Sequence, residues 1–318
     1  MTAFRKRVRL AATLAILAAA AVSIDAQPKV ARTPDGHPDL QGLWINNTAT
    51  PLERPRDHGD RTAFTEAEAR AYVERYQLDR TVAISRDKDF ELDAAGDLDT
   101  YEPGELLPGR RNSLITDPSD GTLPPLAPPG QKALAERNAH LNTHYAENPE
   151  DLTLAERCLV VGSASVPPLQ PAFYNNTLQI VQTRDHVVIV SEMIHEARVI
   201  PLNRSTHLPA SVRRWTGDSI GRWEGDTLVV ETTNFTGKTT FRGTSPELRL
   251  VERFSMKTPG VLGYSFTVND PAFTRPWTAD SQMTATDGPM YEFACHEGNY
   301  SLGYILSGRR YMEKNPPK

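Results

Sequence analysis

The segment SEMIHEARVIPL places Glu192, His195, Glu196 and Arg198 within seven residues, between the apolar runs Val187–Val190 and Val199–Pro201. Imidazole and carboxylate groups near neutral pKa are what acid–base catalysis uses, and a guanidinium is suited to clamping an anion. A second concentration, Tyr291 to Glu297, contains Glu292, Cys295, His296 and Glu297. In an extended chain, Glu192, Glu196 and Arg198 share one face and His195 the other. In the second segment Glu292 and His296 share a face opposite Cys295 and Glu297. The catalytic reading makes His195 and His296 a proton-transfer pair, with Glu192 and Glu297 orienting or replacing them and Arg198 holding an oxyanion. It requires His296 and at least one of Glu192, His195 and Arg198 to converge on one concave site. The bland readings are a cross-strand ion pair on the surface and a satisfied core histidine.

Candidate ligand contacts lie on and between these segments. Trp215, Trp223 and Trp277 could wall an apolar or aromatic ligand, with Arg275, Tyr291 and Asp218 supplying polar contacts. Equally, the tryptophans could be core residues. Glu224 and Asp226 suit the organisation of a turn. His140 and His144 are spaced as i and i+4 on one helix face, as paired metal ligands would be, but two ligands alone make no complete site. No His-Glu-x-x-His, Gly-x-Ser-x-Gly, phosphate loop or dinucleotide fingerprint occurs, so no metal or cofactor is assigned.

The elements that must position these groups are legible in patches. Thr65 and Glu68 form a capping box behind Phe64, predicting a helix to about Asp79, and Pro128 and Pro129 lead a second from Gly130 to Tyr145. Alternation predicts strands at Leu178–Thr183, Val187–Pro201, Leu228–Thr232, Leu248–Met256, Val261–Val268, Gln282–Thr286 and Met290–Glu297. Glu224-Gly225-Asp226-Thr227 suits a hairpin turn, and a short helix is expected from Asn299 to Ser307. The fold class is mainly β, an antiparallel meander closed as a barrel or folded as a sandwich. Residues 27–157 read as an irregular, proline-rich N-terminal arm with helices, and 158–318 as the β-domain, the two forming one folded unit.

Arg5, Lys6, Arg7 and Arg9 precede an apolar run from Leu10 to Val22, followed by Ser23 and Ala26, the pattern of an export signal spanning residues 1–26. The run falls short of the ~20 residues that cross a bilayer. Cleavage would leave a soluble periplasmic or secreted chain with 31 basic and 39 acidic residues, which gives neither nucleic acid nor an anionic membrane a basic patch to bind. In an exported chain the two cysteines, Cys158 and Cys295, are expected to form a disulfide. Oligomeric state is not encoded in any of these patterns.

Gly42-Leu43-Trp44 resembles the Gly-x-Trp start of lipocalin-like barrels. GRWEGDTLVVETTNF, together with PDGHPDLQGLW, DPAFTRPW and YEFACHEGNY, resembles a family of exported, largely uncharacterised bacterial proteins. That resemblance implies an exported location and a fold spanning most of the chain, and no activity. The functional expectation is an exported, cofactor-free enzyme performing hydrolysis or elimination on a small organic substrate in a β-barrel cavity. The alternatives are a lipocalin-like binding protein without turnover and a metal-dependent enzyme using histidines.

Overall fold

The computed structural model describes residues 29–86, 104–172, 174–239 and 241–316. The expected export signal at 1–26 lies outside them. Ten strands make one antiparallel sheet: β1 (Gly42–Ile45), β2 (Ile115–Asp117), β3 (Thr177–Gln182), β4 (His186–Ser191), β5 (Ala197–Pro201), β6 (Asp218–Glu224), β7 (Thr227–Thr233), β8 (Arg249–Thr258), β9 (Val261–Asn269) and β10 (Trp277–Thr286). Their order is β5-β4-β3-β1-β10-β9-β8-β7-β6, with β2 added to β10. The chain before residue 158 therefore contributes two strands, and β1 sits centrally between β3 and β10. Trp44 of the Gly-x-Trp start is buried there and donates its indole N–H to the Leu40 carbonyl at 3.0 Å.

The β9 alternation is realised as expected. Leu262, Tyr264, Phe266 and Val268 are all buried against Leu250 and Phe254 of β8 and Trp277, Ala279 and Met283 of β10. The turn from β6 to β7 places Gly225 at φ 60°, the left-handed conformation a two-residue hairpin needs at its first central position. Along the main path every neighbouring pair is antiparallel. Nine strands in such a path leave the two end strands, β5 and β6, pointing the same way. The sheet curls until these ends approach without a hydrogen-bonded ladder between them. Thr216, just before β6, donates to the Glu196 carboxylate before β5 at 3.3 Å. Further along, a Cβ on Gly221 would stand 2.8 Å from Leu202 Cδ2 and 2.9 Å from Ile200 Cγ2, so only glycine fits this approach. Val160, Val166 and Leu169 pack into the same core from the segment following Cys158.

Among the described residues four α-helices accompany the sheet: α1 (Glu66–Arg86), α2 (Pro128–His144), the single turn α3 (Gly162–Ser165) and α4 (Tyr300–Lys314). The capping box forms: the Thr65 amide donates to Glu68 Oε2 at 2.8 Å, and the Glu68 amide to Thr65 Oγ1 at 3.3 Å. Hydrogen bonds from Arg61 and from the Thr65 backbone and hydroxyl hold the Glu68 carboxyl down at about 2. Helix α4 starts from an Asn299 cap and runs seven residues beyond the expected Ser307.

Two strand expectations are corrected. Val187–Pro201 is a hairpin, broken at Met193–His195, where Ile194 (φ 63°) and His195 (φ 44°) adopt left-handed backbone. Met290–Glu297 is an irregular segment ending in a turn. It is held by the expected disulfide, Cys158–Cys295, with Cα atoms 5.7 Å apart across 137 residues of chain. Asn299 adds a bond from its amide to the Glu156 carbonyl at 2.9 Å.

Candidate functional site

The β5–β6 seam leaves a cleft of about 690 Å³. Its walls are Glu196 to Val199 with Pro201 from β5 and its approach, Arg213 to Ser219 leading into β6, and His186, Arg204 and Thr236 at the periphery. Three guanidinium groups, Arg204, Arg213 and Arg214, thus border the cleft against two carboxylates, Glu196 and Asp218. Trp215 stands half-buried in the wall between Arg214 and Thr216.

Not all of this charge is free. Arg204 Nη2 donates to Asp218 Oδ1 at 2.6 Å, while His207 Nδ1 and the Leu208 amide contact Oδ2 at 2.9 and 3.0 Å. Burial opposes ionisation of Asp218, but these bonds outweigh it and hold the carboxyl below its ordinary value. Arg213 Nη1 is tied to the carbonyls of Phe235 at 3.0 Å and Pro246 at 2.6 Å. The exposed Arg214 guanidinium and the half-buried His186 imidazole make no side-chain hydrogen bond or ion pair among the described residues. Glu196 is the counterpart of Asp218. Its burial raises the carboxyl above the ordinary value, only partly offset by the Thr216 hydroxyl and the charge of His195.

Arg198 turns its guanidinium away from the cleft. It is 7% exposed and its Nη2 lies 2.9 Å from Oε2 of Glu252, which is fully buried on β8. That contact is an ion pair without hydrogen-bond alignment, and Nε and Nη1 are buried without hydrogen-bond partners. Glu252 Oε1 accepts from the Tyr264 hydroxyl at 2.9 Å, and that hydroxyl accepts from the Leu169 amide at 2.8 Å. Burial, with the Glu252 charge beside it, keeps the Tyr264 phenol well above its usual pKa and therefore protonated. This network joins β5 to β8 across the core, so Arg198 serves the interior rather than an oxyanion in the cleft.

Other expected site residues are dispersed by the fold. Glu192 is buried and accepts from Asn175 Nδ2 at 3.2 Å, the Thr177 amide at 3.1 Å and the Tyr291 amide at 3.2 Å. The two chemistry-rich segments therefore do meet, but at a carboxylate that clasps backbone. His195 is exposed in the hairpin turn, and His296 and Glu297 are exposed in the turn at Cys295. None of these three lines the cleft. Tyr291 is also exposed. Trp277, 0% exposed, is a core residue packed against Phe241, Phe266 and Phe273, which removes it from ligand contact. Trp223 stacks on His37, with ring centres 4.5 Å apart, and Arg275 Nη2 donates to both carboxylate oxygens of Asp117 at 2.7 and 2.8 Å. Of the expected contacts, Trp215 and Asp218 reach the cleft, together with Arg198 from the catalytic set.

Glu196 was visible in the sequence as a member of the Glu192–Arg198 cluster without a role of its own, and His186 was not singled out. The signal that could have singled them out is the strand-end position of both, on the two arms of one hairpin beside the open edge β5.

No protein-family model matches the chain, and no curated protein matches it. Among solved structures the chain is similar to the fluorescent protein UnaG, in a single-substitution variant, at 18% identity over 35% of this chain and 72% of that one, with a TM-score of 0.23. Among the described residues no helix is long and apolar enough to cross a membrane.

Proposed function

We propose that the protein is an exported small-molecule protein that binds a compact organic anion with a flat apolar body in the β5–β6 cleft. The observation that carries this reading is the wall formed by Arg213, Arg214 and Trp215, where an unengaged guanidinium and a half-buried indole border the same space. Guanidinium groups recognise carboxylates through paired donors, and an indole face offers apolar area to a planar ligand. The disulfide suits an oxidising compartment and thus the expected periplasmic or secreted location.

The test is calorimetric titration with benzoate, 4-hydroxybenzoate and phenyl phosphate beside their neutral counterparts benzamide and benzyl alcohol. At least one anion is expected to saturate, the neutral compounds are not, and Arg214→Ala should weaken binding by about tenfold, as loss of a charged hydrogen bond of about 1.5 kcal/mol implies. Equal binding of benzamide and benzoate would overturn the reading.

Turnover is a second reading, favoured by Glu196. A half-buried carboxyl at the cleft wall, raised by burial above its ordinary pKa, is placed to give or take a proton, as hydrolysis or elimination on a bound anion requires. In this reading Glu196 takes the proton-transfer role expected of His195 and His296. Product formation from any anion that saturates, lost in Glu196→Gln with binding retained, would separate enzyme from carrier.

A further inference from the structure

Helix α2 presents two histidines that the rest of the chain orients. His140 and His144 lie one turn apart, their ring centres 5.1 Å apart and their planes 31° from parallel. Each has one ring nitrogen engaged by a carboxylate: His140 Nε2 with Asp151 Oδ1 at 3.1 Å, and His144 Nδ1 with Glu147 Oε2 at 2.9 Å. The carboxylates are themselves fixed. Asp151 Oδ2 accepts from the Asn148 amide at 2.7 Å and its side chain at 3.3 Å, and Glu147 accepts from Arg309 of α4 at 2.9 Å.

A carboxylate on one imidazole nitrogen selects the neutral tautomer whose proton points at it. It leaves a more basic lone pair on the other nitrogen, the arrangement found behind metal-bound histidines. The nitrogens so released are His140 Nδ1 and His144 Nε2. A cation about 2.0–2.1 Å from one nitrogen of each ring, with a tetrahedral angle of about 109° between them, sets the ring centres about 5 Å apart. That is the spacing the helix and its two carboxylates already impose.

We propose that His140 and His144 form a site for a divalent transition cation of the copper, nickel and zinc class, with Asp151 and Glu147 as the outer carboxylates. Among the described residues no group of three or more histidine, cysteine, aspartate or glutamate side chains completes a metal cage. The remaining coordination positions therefore belong to water or an external ligand. His140 also lines a second cleft, of about 410 Å³, closed on another side by Gly237, Lys238 and Thr239, which gives such a ligand somewhere to sit.

The experiment titrates untagged, chelator-stripped protein with Cu²⁺, Ni²⁺ and Zn²⁺ by calorimetry, with electron paramagnetic resonance of the Cu²⁺ form. The expected result is saturable one-to-one binding, tightest for Cu²⁺, with a signal from two equatorial nitrogens. His140→Ala and His144→Ala should each lose one nitrogen from that signal. Asp151→Asn and Glu147→Gln should each weaken binding by about 10- to 100-fold, while His186→Ala leaves it unchanged. Both histidines are exposed on the helix surface, and circular dichroism of each variant verifies that it is folded. No saturable binding, or binding and a spectrum unaltered by His140→Ala and His144→Ala, overturns the site.

Discussion

Replacing Arg198 by methionine removes one half of an ion pair whose other half, Glu252, has no access to water. The arginine is 7% and the glutamate 0% exposed, and without Arg198 the glutamate keeps only its bond from Tyr264. An uncompensated buried charge costs about 3–5 kcal/mol, so Arg198→Met should lose about that much stability. The pair as a whole is a different quantity. Replacing both members by apolar residues removes the desolvation cost along with the attraction and is often neutral or stabilising. Arg198→Met/Glu252→Leu should therefore recover most of the loss, the remainder being set by Tyr264, which would lack an acceptor worth about 1 kcal/mol. Equilibrium unfolding in guanidinium chloride, followed by tryptophan fluorescence for both single variants and the double, gives the coupling energy directly. An Arg198→Met variant within about 1 kcal/mol of the natural protein, or a double variant no more stable than Arg198→Met, would show that Glu252 is not held by Arg198.

Three further outcomes follow from the same geometry. Gly221→Ala inserts a Cβ within 3 Å of Ile200 and Leu202 at the seam and should cost about 1–3 kcal/mol by overpacking, measured as a shift in the denaturant midpoint. Cys158→Ser/Cys295→Ser should cost about 2–5 kcal/mol and speed amide exchange in Tyr291–Lys314, the segment that the bridge ties down. Because the folded-state pKa of Glu196 is raised, its contribution to stability is present below the unfolded carboxyl pKa and lost as pH rises through the folded one. Glu196→Gln should thus gain stability relative to the natural protein at neutral pH, and the gap should shrink on acidification, read from thermal melts across pH.

What the sequence made legible was what local chemistry determines. Thr65 and Glu68 cap a helix wherever they fall three residues apart at its start, and Leu262, Tyr264, Phe266 and Val268 alternate because β9 has one inward face. The cysteine pair was readable from parity and compartment alone. The hairpin within Val187–Pro201 was hidden because its left-handed positions are Ile194 and His195, where a β-branched residue gives no turn signal. Met290–Glu297 alternates like a strand, yet Glu192 captures its Tyr291 amide and Cys158 its far end, leaving it outside the ladder. The site was the least legible part. Arg198 and Glu196 are two residues apart, but one faces Glu252 across the core and the other Thr216 across the seam, partners 54 and 20 positions away. Which partner each would meet depends on how an odd number of antiparallel strands brings its ends together.

The proposed anion site lies in the seam, between Arg214 and Trp215. The most direct measurement is a ¹⁵N-edited titration of the protein with benzoate, comparing natural protein with Arg214→Ala and with benzamide as the neutral control. Saturable shifts are expected at Glu196–Val199 and Arg213–Ser219, weakened in Arg214→Ala and absent with benzamide. Shifts that are equal for benzoate and benzamide, or that fall outside those two segments, would contradict it.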